Sequence, residues 1–324
     1  MSNTILSIYG TVYNSVSSVE IVIKNLYNTF YKIKEGIEIV IVDNFSDDRT
    51  FEKLKEMSEN YNIIVYRQKS TRGFGRNLAF QKTEGKYVLN RDFYDVYIDN
   101  TIFNIINNFG SLLDKNIIIN ELSIRDVIEN IGNWSNLNAG EDVELRARAI
   151  KNGIRTIGIP AILGMNYKYL NEADNGKTLF NENRYTKSKL QYIKRISSYL
   201  SDTACGYGIN MSDLKNMNYE YKLAFLYGII LSKIKKEKNM RHCKSYNNLE
   251  LAELHKEYLD PAMFGISRER WVTTLASNIN QEIINKKILE LRNLGYNYVY
   301  KNNNNIIVSY NKDLTENIKI IYFN

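Results

Sequence analysis

Glu141 and Asp142 stand side by side after a glycine in NAGEDVELRARAIKNG (138–153), and Arg146, Arg148 and Lys151 follow them. That order has two readings. Acids in a first helical turn and bases in later turns suit the helix dipole, which is plain capping. A carboxylate fixed at a helix start is also a way to hold a proton acceptor in place. Further acids stand at Asp43, Asp92 and Asp95, and Arg72 and Arg76 flank the glycines of RGFG, which let backbone approach a ligand closely. Carboxylates suit ribose hydroxyls or a divalent cation, and arginines suit phosphate, so this set describes a nucleotide site.

The elements that would position these residues can be read from periodicity. Residues 5–13, 37–44, 62–68 and 86–90 are rich in β-branched and aromatic residues and read as strands, the second nearly all apolar and so buried on both faces. Residues 17–33, 47–61 and 75–83 carry apolar residues at helical spacing. Alternating strands and helices argue for an α/β fold with a mostly parallel sheet flanked by helices. Ligands of such sheets sit beyond the carboxyl ends of the strands. That rule selects the loops 11–14, 43–46, 69–76 and 91–95, which hold Asp43, Arg72, Arg76, Asp92 and Asp95.

The second half is less regular. Residues 161–183 read as an extended loop region, 184–200 as a basic amphipathic helix and 205–210 as a turn. Helices are predicted within 212–258 and 273–294, and the Asn-rich tail alternates like a small β-meander. The expected organisation is a catalytic domain over 1–200 and a mainly helical region over 201–324 that ends in that meander.

A length of 324 residues and a hydrophobic fraction of 44% are ordinary for a globular chain. The net charge of +7 points to anionic partners: nucleotides, nucleic acid or an acidic membrane face. Zinc-finger spacing and RNA-binding aromatic signatures are missing, which makes nucleic acid the weaker choice. Cys205 and Cys243 give no disulfide framework and fit a reducing compartment. Two histidines, His242 and His255, exclude a His-rich metal site and read as structural. The start of the chain reads as a first strand, not a signal peptide. The apolar part of 223–238 is too short to span a bilayer; it reads as a core helix or, with 184–200, as a surface helix on an anionic membrane.

Taken in order, these segments resemble the family-2 inverting glycosyltransferases of the GT-A fold. ILSIYGTVYNSVSSVEIVIKNL looks like the family's first strand, Thr-x-Tyr-Asn turn and helix, and IVIVDNFSDDRT is similar to its Val-Asp-Asp-Gly-Ser-x-Asp-x-Thr motif. RGFGRNLAFQKTEGKYV, RDFYD and IGNWSNLNAGEDVELRARAIKNG resemble the Gly-x-x-x-Ala-Arg-Asn, Asp-x-Asp and Glu-Asp segments. The resemblance implies a GT-A domain with a C-terminal extension, and transfer of a sugar from a UDP- or GDP-sugar to a hydroxyl acceptor. The acceptor would be a glycan, a lipid-linked group or a protein, met in the cytoplasm or at the inner face of a membrane. It implies Asp142 as general base with Glu141 binding acceptor or orienting it, the reverse assignment also being open. It places Asp43 at the nucleotide base with Thr11 and Tyr13 around it, and Trp134 as a wall for a sugar ring. Mg²⁺ or Mn²⁺ would sit on Asp92 and Asp95, because Tyr94 stands where the second acid of the motif belongs; alternatively Arg72, Arg76 and Arg91 carry more of the phosphate charge. Two further readings stay open: a non-catalytic nucleotide-sugar binding protein on the same fold, and a nucleotidyltransferase.

Overall fold

A computed structural model gives the fold. It describes residues 5–97, 100–109, 116–138, 140–159 and 163–166, with short stretches beyond them that include 257–258, 297–301, 307–310 and 318–321. The expected helix at 273–294, all of that at 184–200 except residue 197, most of the helical region at 212–258, the turn at 205–210, His242, His255, Cys205, Cys243 and a boundary near 200 lie outside the described residues.

The chain opens with β1 (Leu6–Val12), α1 (Val16–Thr29), β2 (Ile37–Asp43), α2 (Thr50–Met57) and β3 (Ile63–Arg67). It continues with α3 (Arg72–Gln81), β4 (Tyr87–Asn90), β5 (Asp95–Tyr97), α4 (Thr101–Phe109), β6 (Ile117–Ile119) and β7 (Leu122–Ile124). Then come α5 (Arg125–Asn130), α6 (Glu141–Lys151), β8 (Arg155–Gly158) and β9 (Gly164–Asn166), and later β10 (Glu257–Tyr258). The main sheet has the order β10-β8-β6-β7-β4-β1-β2-β3. Its neighbours pair in parallel except where β7 meets β4 and β6. This is the α/β, mostly parallel class that the alternation predicts.

Packing follows from the side-chain period of two in strands. Leu6, Ile8, Ile39 and Ile41 join Val19, Val22, Ile23 and Leu26 of α1 in one core layer. Tyr9, Val40 and Val42 join Ala79 and Phe80 of α3 and Leu145 and Ala149 of α6 in the other. All seven residues of β2 are buried, Glu38 and Asp43 among them, as expected of a nearly all-apolar strand covered on both faces.

The chain steps β1, β2, β3 in one direction, then returns through α3 to place β4 on the other side of β1. That reversal is a topological switch point, and the crevice between the carboxyl ends of β1 and β4 is where such sheets bind ligands. Gly10 lets the chain after β4 pack closely on β1: a Cβ there would lie 2.1 Å from the Arg91 carbonyl oxygen.

Three differences from the sequence reading have physical reasons. Within the expected 161–183 loop, Gly164–Asn166 pairs antiparallel with Asp95–Tyr97, which satisfies backbone groups of two three-residue strands. At the end of the expected 212–258 helix, Glu257–Tyr258 pairs with β8 instead. The hairpin β6–β7 carries no readable alternation, because each strand is three residues long. In the tail, residues Asn297–Lys301 (β11), Ile307–Tyr310 (β12) and Ile318–Ile321 (β13) form a separate antiparallel sheet in chain order.

Candidate active site

Arg76 is the hub of the site. It sits on α3, whose start is fixed by Thr71, the side chain of which accepts a hydrogen bond from the Phe74 amide at 3.1 Å. The Arg76 side chain is 4% exposed. Its Nη2 donates to Asp92 Oδ1 at 2.8 Å, its Nη1 lies 2.8 Å from Glu141 Oε1, and its guanidinium stacks 5.0 Å above the Trp134 ring. Burial opposes the charge on Arg76, but Asp92 and Glu141 outweigh it and raise the pKa further. Asp92 and Glu141, 49 positions apart by number, therefore meet across one guanidinium.

Asp92 follows β4 at the switch point. Burial would raise its pKa, yet Arg76 and Arg72, with a 2.7 Å hydrogen bond from the Tyr94 hydroxyl to Oδ2, hold it below the ordinary carboxylate range. Tyr94 thus braces the acid that precedes it. Asp95 opens β5, and burial, partly countered by Arg91, pushes its pKa up to about 6. Arg91 packs its guanidinium over the Tyr97 ring at 4.1 Å.

Glu141 is the first residue of α6 and is 1% exposed. Gly140, at φ 68°, turns the chain into the helix in a left-handed conformation that favours glycine. The Glu141 carboxylate is spent on Arg76 and, at 3.7 Å, on Arg72, so simple capping does not account for it. Burial raises its pKa against the pull of those two arginines. Arg72 keeps a 48% exposed side chain at the mouth of the site, and Glu141 and Asp92 raise its pKa despite burial of the charge.

Asp142, the next residue, points elsewhere. It lines a small cavity of about 20 Å³ together with Tyr9, Asn90, Glu121, Trp134 and Arg146. Trp134 is held by its Nε1, which donates to the Tyr9 hydroxyl at 3.0 Å. The two acids of the pair therefore have separate neighbours: Glu141 faces the arginines and Asp142 the cavity.

Asp43 ends β2 and is fully buried. Its carboxylate accepts from the Ser46 amide at 3.1 Å and from the Ser46 hydroxyl, with Arg67 Nε at 3.5 Å; burial raises its pKa. Thr11 packs near α3: a Cβ on Gly75 would lie 2.5 Å from Thr11 Cγ2. Tyr13 is half-buried in the turn after β1. The glycines of RGFG admit protein, not ligand, since a Cβ on Gly73 would lie 1.9 Å from the Ser135 carbonyl oxygen. Across that seam the Gly73 amide donates to Leu137 O at 2.7 Å, the Arg72 amide to Asn138 Oδ1 at 3.1 Å, and the Thr71 hydroxyl to Asn136 Oδ1.

The structure brings Arg72, Arg76, Asp92, Glu141 and Trp134 into one cluster, with Asp142 on the cavity beside it. Sequence reasoning missed Glu121 and Asn90, which share the Asp142 cavity. Glu121 lies in the β6–β7 turn beside Asn120, whose φ of 53° is the one turn signal that marks the place.

Among the described residues no group of three or more His, Cys, Asp or Glu side chains forms a metal cage. Mg²⁺ usually binds through one or two carboxylates plus substrate phosphates; Asp92 is 26% exposed at the switch point, with Oδ1 accepting from Arg76 and Oδ2 from Tyr94. Also among the described residues, no helix is long and apolar enough to cross a membrane.

Residues 7–131 match the family model described as Glycosyl transferase family 2. No curated protein matches the chain by sequence. Among solved structures, the chain is similar to S. aureus TarS at 14% identity and a TM-score of 0.47, covering 69% of this chain and 48% of that one. It therefore spans about half the length of that protein. It is also similar to TarS 1-349 in complex with UDP-GlcNAc, at 14% identity and a TM-score of 0.43 over 72% of this chain and 75% of that one. A third is the mannosyltransferase PcManGT from Pyrobaculum calidifontis in complex with GDP-Man and Mn²⁺, at 15% identity and a TM-score of 0.44 over 72% and 75% of the two chains.

Proposed function

We propose that this chain, whose residues 7–131 match the model described as Glycosyl transferase family 2, moves a sugar from a nucleoside-diphosphate sugar, a UDP- or GDP-sugar, to a hydroxyl with inversion. The observation that carries the reading is the junction of Asp92, Arg76 and Glu141, with Asp142 on the cavity beside it.

In this reading the diphosphate lies at the β1–β4 switch point. Negative charge grows on it as the bond from the anomeric carbon to phosphate oxygen breaks, and cations placed there lower that barrier. Arg72 is the protein cation best placed to swing onto phosphate, since its side chain is half-exposed; Arg76 is committed to its two acids and holds the frame. Asp92, with Asp95 close behind, would hold a Mg²⁺ or Mn²⁺ that enters with the donor, and such a cation would neutralise charge on the departing diphosphate. Asp43 sets the 43–46 turn from inside, and Thr11 and Tyr13 line the nucleotide side. Trp134 presents an apolar edge to the sugar. The acceptor hydroxyl attacks the anomeric carbon, the electron pair of the broken bond leaves on the diphosphate, and Asp142 takes the hydroxyl proton. Separate neighbours for the two adjacent acids support Asp142 as the base and Glu141 as the anchor of its helix.

Acceptors consistent with this chemistry are glycan, lipid-linked or protein hydroxyls. A peripheral contact of 184–200 and 222–238 with anionic membrane belongs to the same proposal; sedimentation with anionic liposomes at low salt tests it. The alternative of a non-catalytic nucleotide-sugar binder draws on Tyr94, whose hydroxyl occupies one oxygen of Asp92.

One experiment separates the two. The full chain is incubated with UDP- and GDP-sugars and Mn²⁺, and released nucleoside diphosphate is measured for wild type and Asp142→Asn. The expected result is release by wild type and a roughly 10²- to 10⁴-fold slower rate in the variant. Donor binding without release by wild type would leave only the binder. Full turnover by Asp142→Asn would remove Asp142 from the role of base.

A further inference from the structure

The turn after β2 presents a residue that its backbone does not favour. Phe45 stands at φ 55°, in the left-handed region, where a bulky side chain is strained. Such strain persists where the surrounding structure imposes it, and it gathers at ligand-binding sites. Phe45 is also 54% exposed, so full burial of the ring does not offset the strain. The turn is held by three segments. The Asn14 amide donates to Ser46 Oγ at 2.9 Å, the Asp47 amide to Asn14 Oδ1 at 3.1 Å, and the Ser70 amide to Asn44 Oδ1 at 2.9 Å. Arg67 Nη2 donates to Ser46 O at 2.7 Å, and its guanidinium packs 5.2 Å from the centre of the Phe45 ring and 5.1 Å from that of Phe51.

The place of this ring decides what it can do. Asp43, which the resemblance assigns to the nucleotide base, is fully buried, and Ser46 and Arg67 take up both of its oxygens. What the turn offers to solvent is instead an aromatic ring backed on one face by a guanidinium. A flat π-system suits a flat partner, and the charge of Arg67 disfavours a second cation on the ring. In the sheet order, β2 lies beyond β1 from β4, so this ring is on the far side of β1 from Asp92 and the β4 end of the crevice. With the diphosphate at the β1–β4 crevice and the sugar at Trp134, the β2 end is left for the base. We propose that Phe45 is the stacking platform for the base of the donor nucleotide, so that the base is held by its face and not read through Asp43. Stacking tolerates any base, so UDP and GDP are both expected to gain from the ring.

This inference rests on the nucleotide-sugar reading and adds to it a residue that binds the base. The test uses the full chain with Mn²⁺. Titration calorimetry gives the Kd for UDP and for GDP, and circular dichroism gives Tm, for wild type, Phe45→Tyr, Phe45→Leu and Phe45→Gly. Phe45→Tyr keeps the aromatic face and is expected to bind within about twofold of wild type. Phe45→Leu keeps an apolar cover on Arg67 but loses that face, and it is expected to raise both Kd values roughly 5- to 150-fold. Phe45→Gly is expected to weaken binding to the same degree while Tm stays near that of wild type, because glycine adopts a φ of 55° without strain. A ring that only covers Arg67 would give the reverse pattern, a lower Tm with nucleotide affinity kept. Unchanged Kd values for Phe45→Leu overturn the proposal. Equal losses in Phe45→Tyr and Phe45→Leu overturn it as well, since they report a displaced turn and not a lost stack. In both cases wild type still binds nucleotide, and the donor reading stands. Wild type that binds neither UDP nor GDP overturns both.

Discussion

Replacing Arg76 by methionine probes the junction on which the site depends. Methionine keeps most of the volume under Trp134 but removes the charge. Asp92 retains Tyr94 and partial solvent contact, and Glu141 retains only Arg72 at 3.7 Å. Breaking a buried pair in this way costs about 3–5 kcal/mol, because the remaining charge is stranded. Partial hydration of Asp92 places this case near the lower end, and loss of the stacking on Trp134 adds a fraction of about 1 kcal/mol. A total of about 3–4 kcal/mol corresponds to roughly 6–16 °C in Tm for a unit of this size. Urea unfolding at pH 7, followed by circular dichroism, measures the loss directly. The same change in a Glu141→Gln background is expected to cost about 1–3 kcal/mol less, because the stranded acid is gone. A loss below about 1 kcal/mol, or equal losses in the two backgrounds, would refute the argument that Glu141 is buried at the expense of Arg76.

Two further outcomes follow from the geometry. Gly73→Ala drives a methyl group into the Ser135 carbonyl oxygen, a contact of 1.9 Å, so it is expected to lower stability by about 2 kcal/mol or more and to reduce donor affinity, both read by melting with and without UDP. Asp95 has its pKa raised from 3.8 to about 6, so the folded state holds that proton more tightly than the unfolded chain. Its contribution to stability is full below about pH 3.8 and is lost as pH rises through about 6. Asp95→Asn is therefore expected to flatten the fall in Tm over that interval; a profile parallel to wild type would show that Asp95 titrates normally.

Much of the frame is visible in the residues themselves. The nearly unbroken apolar run of β2 and the β-branched and aromatic content of β1 place those strands within a residue or two, because each is long enough for its composition to register. The positions of Arg76, Asp92 and the 141–142 pair are legible as charged residues at loop and helix starts. Their partnership is not, because an ion pair between distant segments leaves no local pattern. Asn90 and Glu121 were hidden for a related reason: an unsatisfied amide is a property of its surroundings, and a two-residue turn between three-residue strands is too short to carry periodicity. The RGFG glycines were assigned to a ligand because close approach alone does not say what approaches.

The seam between the start of α3 and residues 136–138 ties two tasks to one mechanical part. The helix that carries Arg72 and Arg76 and the segment that delivers Glu141 and Asp142 are joined by one backbone hydrogen bond and two to asparagine side chains, so a shift of one pulls on the other. A splice between residues 138 and 142 would therefore disturb the donor-side arginines along with the grafted segment.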